Sequence, residues 1–249
     1  MEHRVEPLGR LGRLLLLDLD GTIADIEADP SDAAIDASTL AALADLAAPD
    51  PFGLVIVTGR ALADADRMLG GLKLPVLASH GVEARVRGFS LPESGASIVA
   101  VRGRIEEIAA RCPGVLVEWK PYSAALHFRA VPEMGPRVWE TLCAFVGDHP
   151  AFRIQGGRLV VEVLPAGMSK ARAVDHLLHM QGYRQRRPIY VGDDPADEAA
   201  MAVVEALGGT ASRVAGEHFS SDVADFDGPA DVRTWLAALV ADARLHAVR

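Results

Sequence analysis

Two aspartates, Asp18 and Asp20, follow the apolar run Leu14–Leu17 and precede Gly21-Thr22. Carboxylates at i and i+2 of an extended backbone point to one side, with Leu19 opposite. An uninterrupted apolar run of this kind suits a strand buried on both faces of a parallel sheet, and open α/β sheets bind ligands at the carboxyl ends of such strands. Two adjacent anions repel and need a cation or a shared proton. Mg2+ suits oxygen ligands of this kind. The pattern therefore predicts phosphoryl chemistry. Asp18 keeps one oxygen free to attack phosphorus, and Asp20 gives a proton to the leaving alcohol and later takes one from water. A second acidic cluster, Asp193, Asp194, Asp197 and Glu198, follows the run Ile189–Val191. Thr58-Gly59-Arg60 closes the run Leu54–Val57, and Lys170 follows Gly167-Met168-Ser169.

The elements that must position these residues are legible as alternating periods. Leu14–Leu17, Leu54–Val57, Val76–Ala78 and Ile189–Val191 read as buried strands. Ser38–Ala48, Ala61–Leu69, Ser169–Met180, the stretch after Pro195 and Asp231–Ala247 read as helices between and after them. This alternation predicts an α/β fold with a doubly wound parallel sheet. From about Arg85 to Pro165 the rhythm changes. Val115–Lys120, Ala124–Arg129 and Arg158–Val163 alternate polar with apolar residues, as half-wet strands do. Helical stretches at Ile98–Ala110 and Gly135–Gly147 can cover their other face. The expected organisation is a core of residues 1–84 and 166–249 with an inserted α+β cap of residues 85–165.

The chain as a whole narrows the partners. It has 249 residues, half of them hydrophobic, and a net charge of -9 from 25 basic and 34 acidic residues. That balance argues against nucleic acid, so a phosphorylated substrate must meet a local cluster of cations. Cys112 and Cys143 lack His or Cys neighbours at metal-ligand spacing and imply no disulfide framework, which fits a reducing, cytoplasmic setting. The run Leu14–Leu17 is too short for a signal peptide and meets Asp18 at once, and nothing is long enough to span a membrane.

Asp18-Leu-Asp20-Gly-Thr22 resembles the opening motif of the haloacid dehalogenase superfamily, a Rossmann-type fold. Thr58, Lys170 and Gly192-Asp193-Asp194 stand where that family has its further motifs. The resemblance implies that Thr58 holds a phosphoryl oxygen and that Lys170 bridges nucleophile and phosphate. It implies Mg2+ on Asp18, Asp20 and Asp193, with Asp194 and Asp197 orienting those ligands or fixing Lys170. The insertion lies between the threonine and lysine motifs, where the superfamily places its larger caps. Within that subclass the chain is similar to the trehalose-6-phosphate phosphatases. Asp29-Pro30 with Ala33, Ser79-His80-Gly81-Val82-Glu83, Val117-Glu118-Trp119-Lys120, His127-Phe128-Arg129, Val161-Glu162-Val163 and Gly192–Glu198 carry that likeness. It implies hydrolysis of a small-molecule sugar phosphate through an aspartyl-phosphate, and a functional link to a trehalose-phosphate synthase. It also implies that Thr22, Gly59, Arg60, His80, Gly81 and Glu83 bind substrate, and that Glu118, Lys120, Arg129 and Glu162 read the sugar from the cap.

Three residues depart from the family pattern: Ala196 stands for a threonine, Ala171 for a glycine and Val82 for an alanine. None removes a reactive group, though Ala196 is expected to loosen the loop that holds Asp197. Two other functions remain open. One is a phosphatase for another sugar phosphate, such as sucrose phosphate, mannosyl-phosphoglycerate or glucosylglycerol phosphate. The other is a catalytically silent sugar-phosphate-binding subunit.

Overall fold

The computed structural model describes residues 12–27, 29–48, 53–91, 96–157 and 159–247. In chain order the elements are β1 (Arg13–Leu17), α1 (Ala37–Ala47), β2 (Leu54–Val57), α2 (Leu62–Met68), β3 (Val76–Ala78), β4 (Glu83–Arg85), α3 (Arg102–Ala110), β5 (Leu116–Trp119), β6 (Ala124–His127), α4 (Gly135–Asp148), β7 (Phe152–Gly157), β8 (Val160–Pro165), α5 (Lys170–His179), β9 (Arg187–Gly192), α6 (Pro195–Ala206), β10 (Thr210–Arg213) and α7 (Pro229–Ala247). They form two compact units, Met1–Ser90 with Lys170–Arg249, and Leu91–Ser169.

The first unit is built on a sheet of strand order β10-β9-β1-β2-β3-β4. All its neighbours are parallel except β3 and β4. Leu14 to Leu17 of the central strand β1 are at most 2% exposed, which is why the run is solidly apolar rather than alternating. The chain winds outward through β2 and β3, then returns to β9 on the other side of β1. The direction of winding therefore reverses between β1 and β9, and their carboxyl ends flank the crevice where such sheets bind ligands. The α/β, doubly wound reading of the sequence is the observed fold.

Two edge strands escaped sequence reasoning because they are short and partly polar. One is β4, which reverses against β3 through Ser79, His80 and Gly81, with φ of 47°, 53° and 93°. The other is β10, whose sequence Thr-Ala-Ser-Arg carries no alternation.

The second unit is an antiparallel sheet of order β5-β6-β8-β7. Ala124, Leu126, Val161 and Val163 face a core shared with Ile105 and Ile108 of α3 and Val138, Leu142 and Phe145 of α4. The opposite face carries the rung Glu118–Ala125–Glu162–Gln155. The expected start of β8 at Arg158 lies outside the described residues. Strand β6 ends at His127, so Arg129, expected on its wet face, sits instead in the following turn. Strand β7 was not foreseen, since its paired glycines, Gly156 and Gly157, read as loop.

Helix α1 shows how local chemistry fixes an element boundary. The Asp36 carboxylate accepts the Thr39 N–H at 2.9 Å and the Thr39 hydroxyl at 2.7 Å, and also the Ser38 hydroxyl. Those bonds, the Ser38 hydroxyl foremost, hold its carboxyl well below the usual range. Asp36→Ala is expected to cost about 1 kcal/mol at neutral pH. A depressed folded-state pKa contributes stability above the unfolded value of about 4 and loses it as pH falls. The gap in melting temperature between the two proteins should therefore narrow toward pH 3. A gap of equal size at pH 3 and pH 7 would contradict the ionised cap.

Candidate active site

Strand β1 delivers Asp18 to the crevice. Its N–H donates to the Val191 carbonyl at 3.1 Å, extending the β1–β9 ladder, and the residue is 3% exposed. Lys170 opens α5 and is equally buried. Its Nζ donates to Asp18 Oδ1 at 2.7 Å and Asp197 Oδ1 at 2.8 Å, and lies 3.8 Å from Asp194. Burial pulls the ammonium down, but the charges of Asp18, Asp194 and Asp197 outweigh it and hold the pKa above its ordinary value.

The loop between β9 and α6 is fixed from several directions. Asp194 caps α6 by accepting the Asp197 N–H at 2.8 Å, and Asp197 reaches back to the Asp194 N–H at 3.2 Å, a reciprocal capping box. The same Asp197 oxygen accepts the Asp193 N–H at 3.3 Å, and its Oδ1 takes the Tyr190 hydroxyl at 2.6 Å as well as Lys170. Gly192 is tied to this arrangement, because a Cβ there would collide with the Asp197 carboxylate. Asp197 therefore does not depend on a threonine at position 196. Tyr190 escaped sequence reasoning. A tyrosine in a strand covered on both faces must find a partner for its hydroxyl, and that was the available clue.

Asp18, Asp193 and Asp197 each bring a carboxylate oxygen within 4.8 Å of the others. Asp197 already accepts four donors. Asp193 Oδ1 is buried with no hydrogen-bond partner, and a carboxylate oxygen is costly to bury that way. A cation shared with Asp18 would supply the missing partner, so these two side chains fit a divalent metal best. Gly21, at φ +74°, leaves room for this carboxylate, since a Cβ there would occupy its position. The electrostatics agree. Burial first, and then the neighbouring acids against the pull of Lys170, raise Asp18 to about 8 and Asp193 to about 7. Such a site is short of positive charge.

Asp20 is placed differently from expectation. The metal set expected from the sequence was Asp18, Asp20 and Asp193, but both oxygens of Asp20 are engaged by Arg60, through Nε and Nη2 at 2.6 Å each. The chain stops being extended after Asp18 and turns through Gly21, with the Ile23 N–H on the Leu19 carbonyl at 3.0 Å. The period-two argument that set the two carboxylates side by side fails at that turn.

Thr58 is 1% exposed and directly follows β2, with its Oγ1 accepting the Arg60 N–H at 3.1 Å. Helix α2 begins only at Leu62, so Gly59 and Arg60 precede it and do not offer helix N-terminal amides to an anion. The His80 ring sits against Gly59, where a Cβ would lie 2.8 Å from it. Glu83 accepts the Ser79 hydroxyl at 2.5 Å and the Leu62 N–H at 3.2 Å, fastening the turn that contains His80 and Gly81. Thr22 is fully buried, and its hydroxyl has no hydrogen-bond partner among the described residues.

In the second unit, Glu118, Lys120 and Glu162 converge. Lys120 Nζ donates to Glu162 Oε1 at 3.2 Å, and Ser123 donates its hydroxyl to the same oxygen. His127 meets Glu118 at 2.8 Å, and that bond holds the Glu118 carboxyl below its usual range. The sequence gives no sign of Ser123, and His127 enters there within a matching stretch, without a role of its own. Arg129 is exposed, with no hydrogen bond or ion pair among the described residues.

Comparison with known proteins points one way. The family model for trehalose-phosphatase matches residues 16–233. The chain is 30% identical over 224 residues to the trehalose-6-phosphate phosphatase of Escherichia coli strain K12, covering 88% of this chain and 83% of that protein. It is 33% identical over 203 residues to a probable trehalose-phosphate phosphatase of Sinorhizobium fredii, covering 80% and 77%. Among solved structures, the C-terminal domain of a trehalose-6-phosphate phosphatase from C. albicans superposes with a TM-score of 0.77 at 21% identity, covering 92% of each chain. That last likeness concerns the fold.

Proposed function

This chain belongs to the trehalose-phosphatase family, and from that membership we infer that it hydrolyses trehalose 6-phosphate to trehalose and inorganic phosphate. The observation that carries the chemistry is the buried Asp18 carboxylate, held by Lys170 at 2.7 Å beside the unpartnered oxygen of Asp193.

Asp18 uses its free oxygen to attack phosphorus, and the bond from phosphorus to the sugar oxygen breaks. Lys170 neutralises charge on Asp18 and on the incoming phosphoryl oxygens, while Thr58 offers its hydroxyl proton to one of them. Asp20 protonates the leaving sugar oxygen, then takes a proton from the water that attacks the aspartyl-phosphate, which frees Asp18. A divalent cation on Asp18 and Asp193, which we take to be Mg2+, would supply the charge neutralisation these two carboxylates lack and would draw the phosphoryl group to them. Phosphate release is expected to vanish in excess EDTA and to return with Mg2+. Full activity in the chelator would contradict the metal assignment.

Substrate choice is assigned to the second unit. The first unit's groups handle a phosphoryl group that every sugar phosphate shares. Glu118, Lys120 and Glu162 offer fixed donors and acceptors on one sheet face, the kind of surface that discriminates a disaccharide by its hydroxyls. Arg129 joins them in this reading as an exposed cation. Glu118→Ala, Glu162→Ala or Arg129→Ala should lower kcat/KM for trehalose 6-phosphate by about 10-fold, the scale of one lost directional contact. Hydrolysis of p-nitrophenyl phosphate should barely change. Equal losses on both substrates would assign these residues to the fold. A wild-type preference for glucose 6-phosphate or sucrose 6-phosphate over trehalose 6-phosphate would overturn the substrate while leaving the phosphatase chemistry standing. A cytoplasmic setting and a link to a synthase making this substrate are part of the same proposal. Among the described residues no helix is long and apolar enough to cross a membrane.

A further inference from the structure

Arg60 is fixed at both ends. Its N–H donates to Thr58 Oγ1 at 3.1 Å, and its carbonyl accepts the Ser79 N–H at 2.7 Å. Its guanidinium gives Nη1 to the Pro30 carbonyl at 2.8 Å, and directs Nε and Nη2 in parallel onto the two oxygens of Asp20 at 2.6 Å each. The Arg60 side chain is 13% exposed against 37% for Asp20, so the arginine is the anchored partner. No other side chain among the described residues bonds the Asp20 carboxylate. A guanidinium fork of this type fixes both the distance and the plane of a carboxyl group, which an ammonium cannot do. Three of its N–H groups are already used within the protein, and the fork faces Asp20 rather than open crevice.

We propose that Arg60 is a positioning residue for Asp20, setting the carboxyl group's orientation for proton transfer to the leaving sugar oxygen, rather than a ligand of the substrate's phosphate. The proposal rests on the phosphatase reading above, in which Asp20 is the proton donor. One oxygen of Asp20 stays on the fork as a pivot while the other carries the proton to the leaving oxygen as the phosphorus–oxygen bond breaks. Displacing a reacting group by a fraction of an ångström is enough to lose much of such a contribution. The role has a selective consequence. A leaving group that departs readily as an anion has little need of the proton, whereas a sugar alkoxide depends on it.

The test is a series of aryl phosphates graded by the acidity of the departing phenol, with trehalose 6-phosphate beside them. Wild type, Arg60→Ala, Arg60→Lys, Asp20→Asn and the Asp20→Asn/Arg60→Ala double variant are compared by kcat/KM. That ratio covers events up to phosphoryl transfer onto Asp18 and does not register hydrolysis of the intermediate. Arg60→Ala should lose little on p-nitrophenyl phosphate and progressively more as the phenol becomes less acidic, reaching about 100-fold on trehalose 6-phosphate, within the range of general-acid catalysis. Its dependence on leaving group should match that of Asp20→Asn, and the double variant should be no worse than Asp20→Asn alone. Arg60→Lys keeps the positive charge and should still show the steep dependence, which keeps the test open if the alanine variant folds poorly. An equal loss across all aryl phosphates would make Arg60 a phosphate ligand and overturn the proposal. A loss confined to trehalose 6-phosphate, with the aryl series flat, would make it a sugar contact and overturn it equally. If Asp20→Asn itself shows no leaving-group dependence, the assignment of Asp20 as proton donor fails, and that result is visible separately from anything Arg60 does.

Discussion

Asp18→Asn should abolish phosphate release, by about 10^4-fold or more, the scale of removing a nucleophile, while leaving the metal-free fold at least as stable as before. The two halves of this expectation have different causes. An amide oxygen keeps the shape but is a poor nucleophile and a weak metal ligand. Stability follows from the position of Asp18 among Asp193, Asp194 and Asp20, where burial and those charges raise it to about 8. A folded-state pKa above the unfolded value of about 4 favours the fold fully at low pH and withdraws that contribution as pH rises toward the folded value. Without metal, wild type should therefore lose melting temperature between about pH 4 and pH 8, and Asp18→Asn should lose less over the same window. Near-normal turnover by this variant would overturn the mechanism. A steeper decline in its melting temperature would overturn the electrostatic account of the site.

Much of this site was readable in the sequence because buried parallel strands announce themselves. Leu14–Leu17 and Ile189–Val191 are apolar on both faces, so the residues that follow them had to lie at the carboxyl edge of a sheet. Asp18 and Asp193 were legible for that reason, and the adjacency of β1 and β9 brings them together. Where the backbone leaves regular structure, periodicity loses its authority. Asp20 comes after the last extended residue of β1, and its carboxylate goes to Arg60. Arg60, in turn, lies in the irregular segment before α2, and no periodicity there marks it as the partner of a carboxylate 40 residues away. Lys170 had no local mark at all. A lysine before a helix is ordinarily solvated, and only the motif order of a family singled it out. Its burial depends on Asp18, 152 residues away in sequence, and on Asp197. On the second unit's sheet, alternation identified Glu118 and Glu162 by face. The pairing of Glu118 with His127 and of Glu162 with Ser123 depends on strand register, which a single strand's pattern does not encode.

Lys170→Met should be the most damaging single change to the metal-free protein. Lys170 is 2% exposed and is bonded to Asp18 and Asp197, with Asp194 at 3.8 Å. Methionine matches its length and apolar stem, so the change removes a charge without opening a large cavity. What remains is a group of buried carboxylates with no cation among them. Breaking a buried pair by removing one partner costs about 3–5 kcal/mol, because the charge left behind is uncompensated. For a chain of this size that corresponds to a fall of roughly 10 °C in melting temperature. Turnover should fall with it, since both Asp18 and the phosphoryl oxygens lose their fixed positive neighbour. Two further measurements separate the electrostatic cause from simple misfit. Adding Asn at position 18 removes one of the stranded charges, so Lys170→Met/Asp18→Asn should be more stable than Lys170→Met alone, a non-additive recovery that a packing defect would not produce. Lowering the pH from 8 to 5 protonates the stranded carboxylates and should also restore melting temperature, because groups raised in the folded state favour the fold when protonated. If the double variant is less stable than Lys170→Met, and acid gives no recovery, then the positive charge of Lys170 among these carboxylates is not what holds this part of the core together.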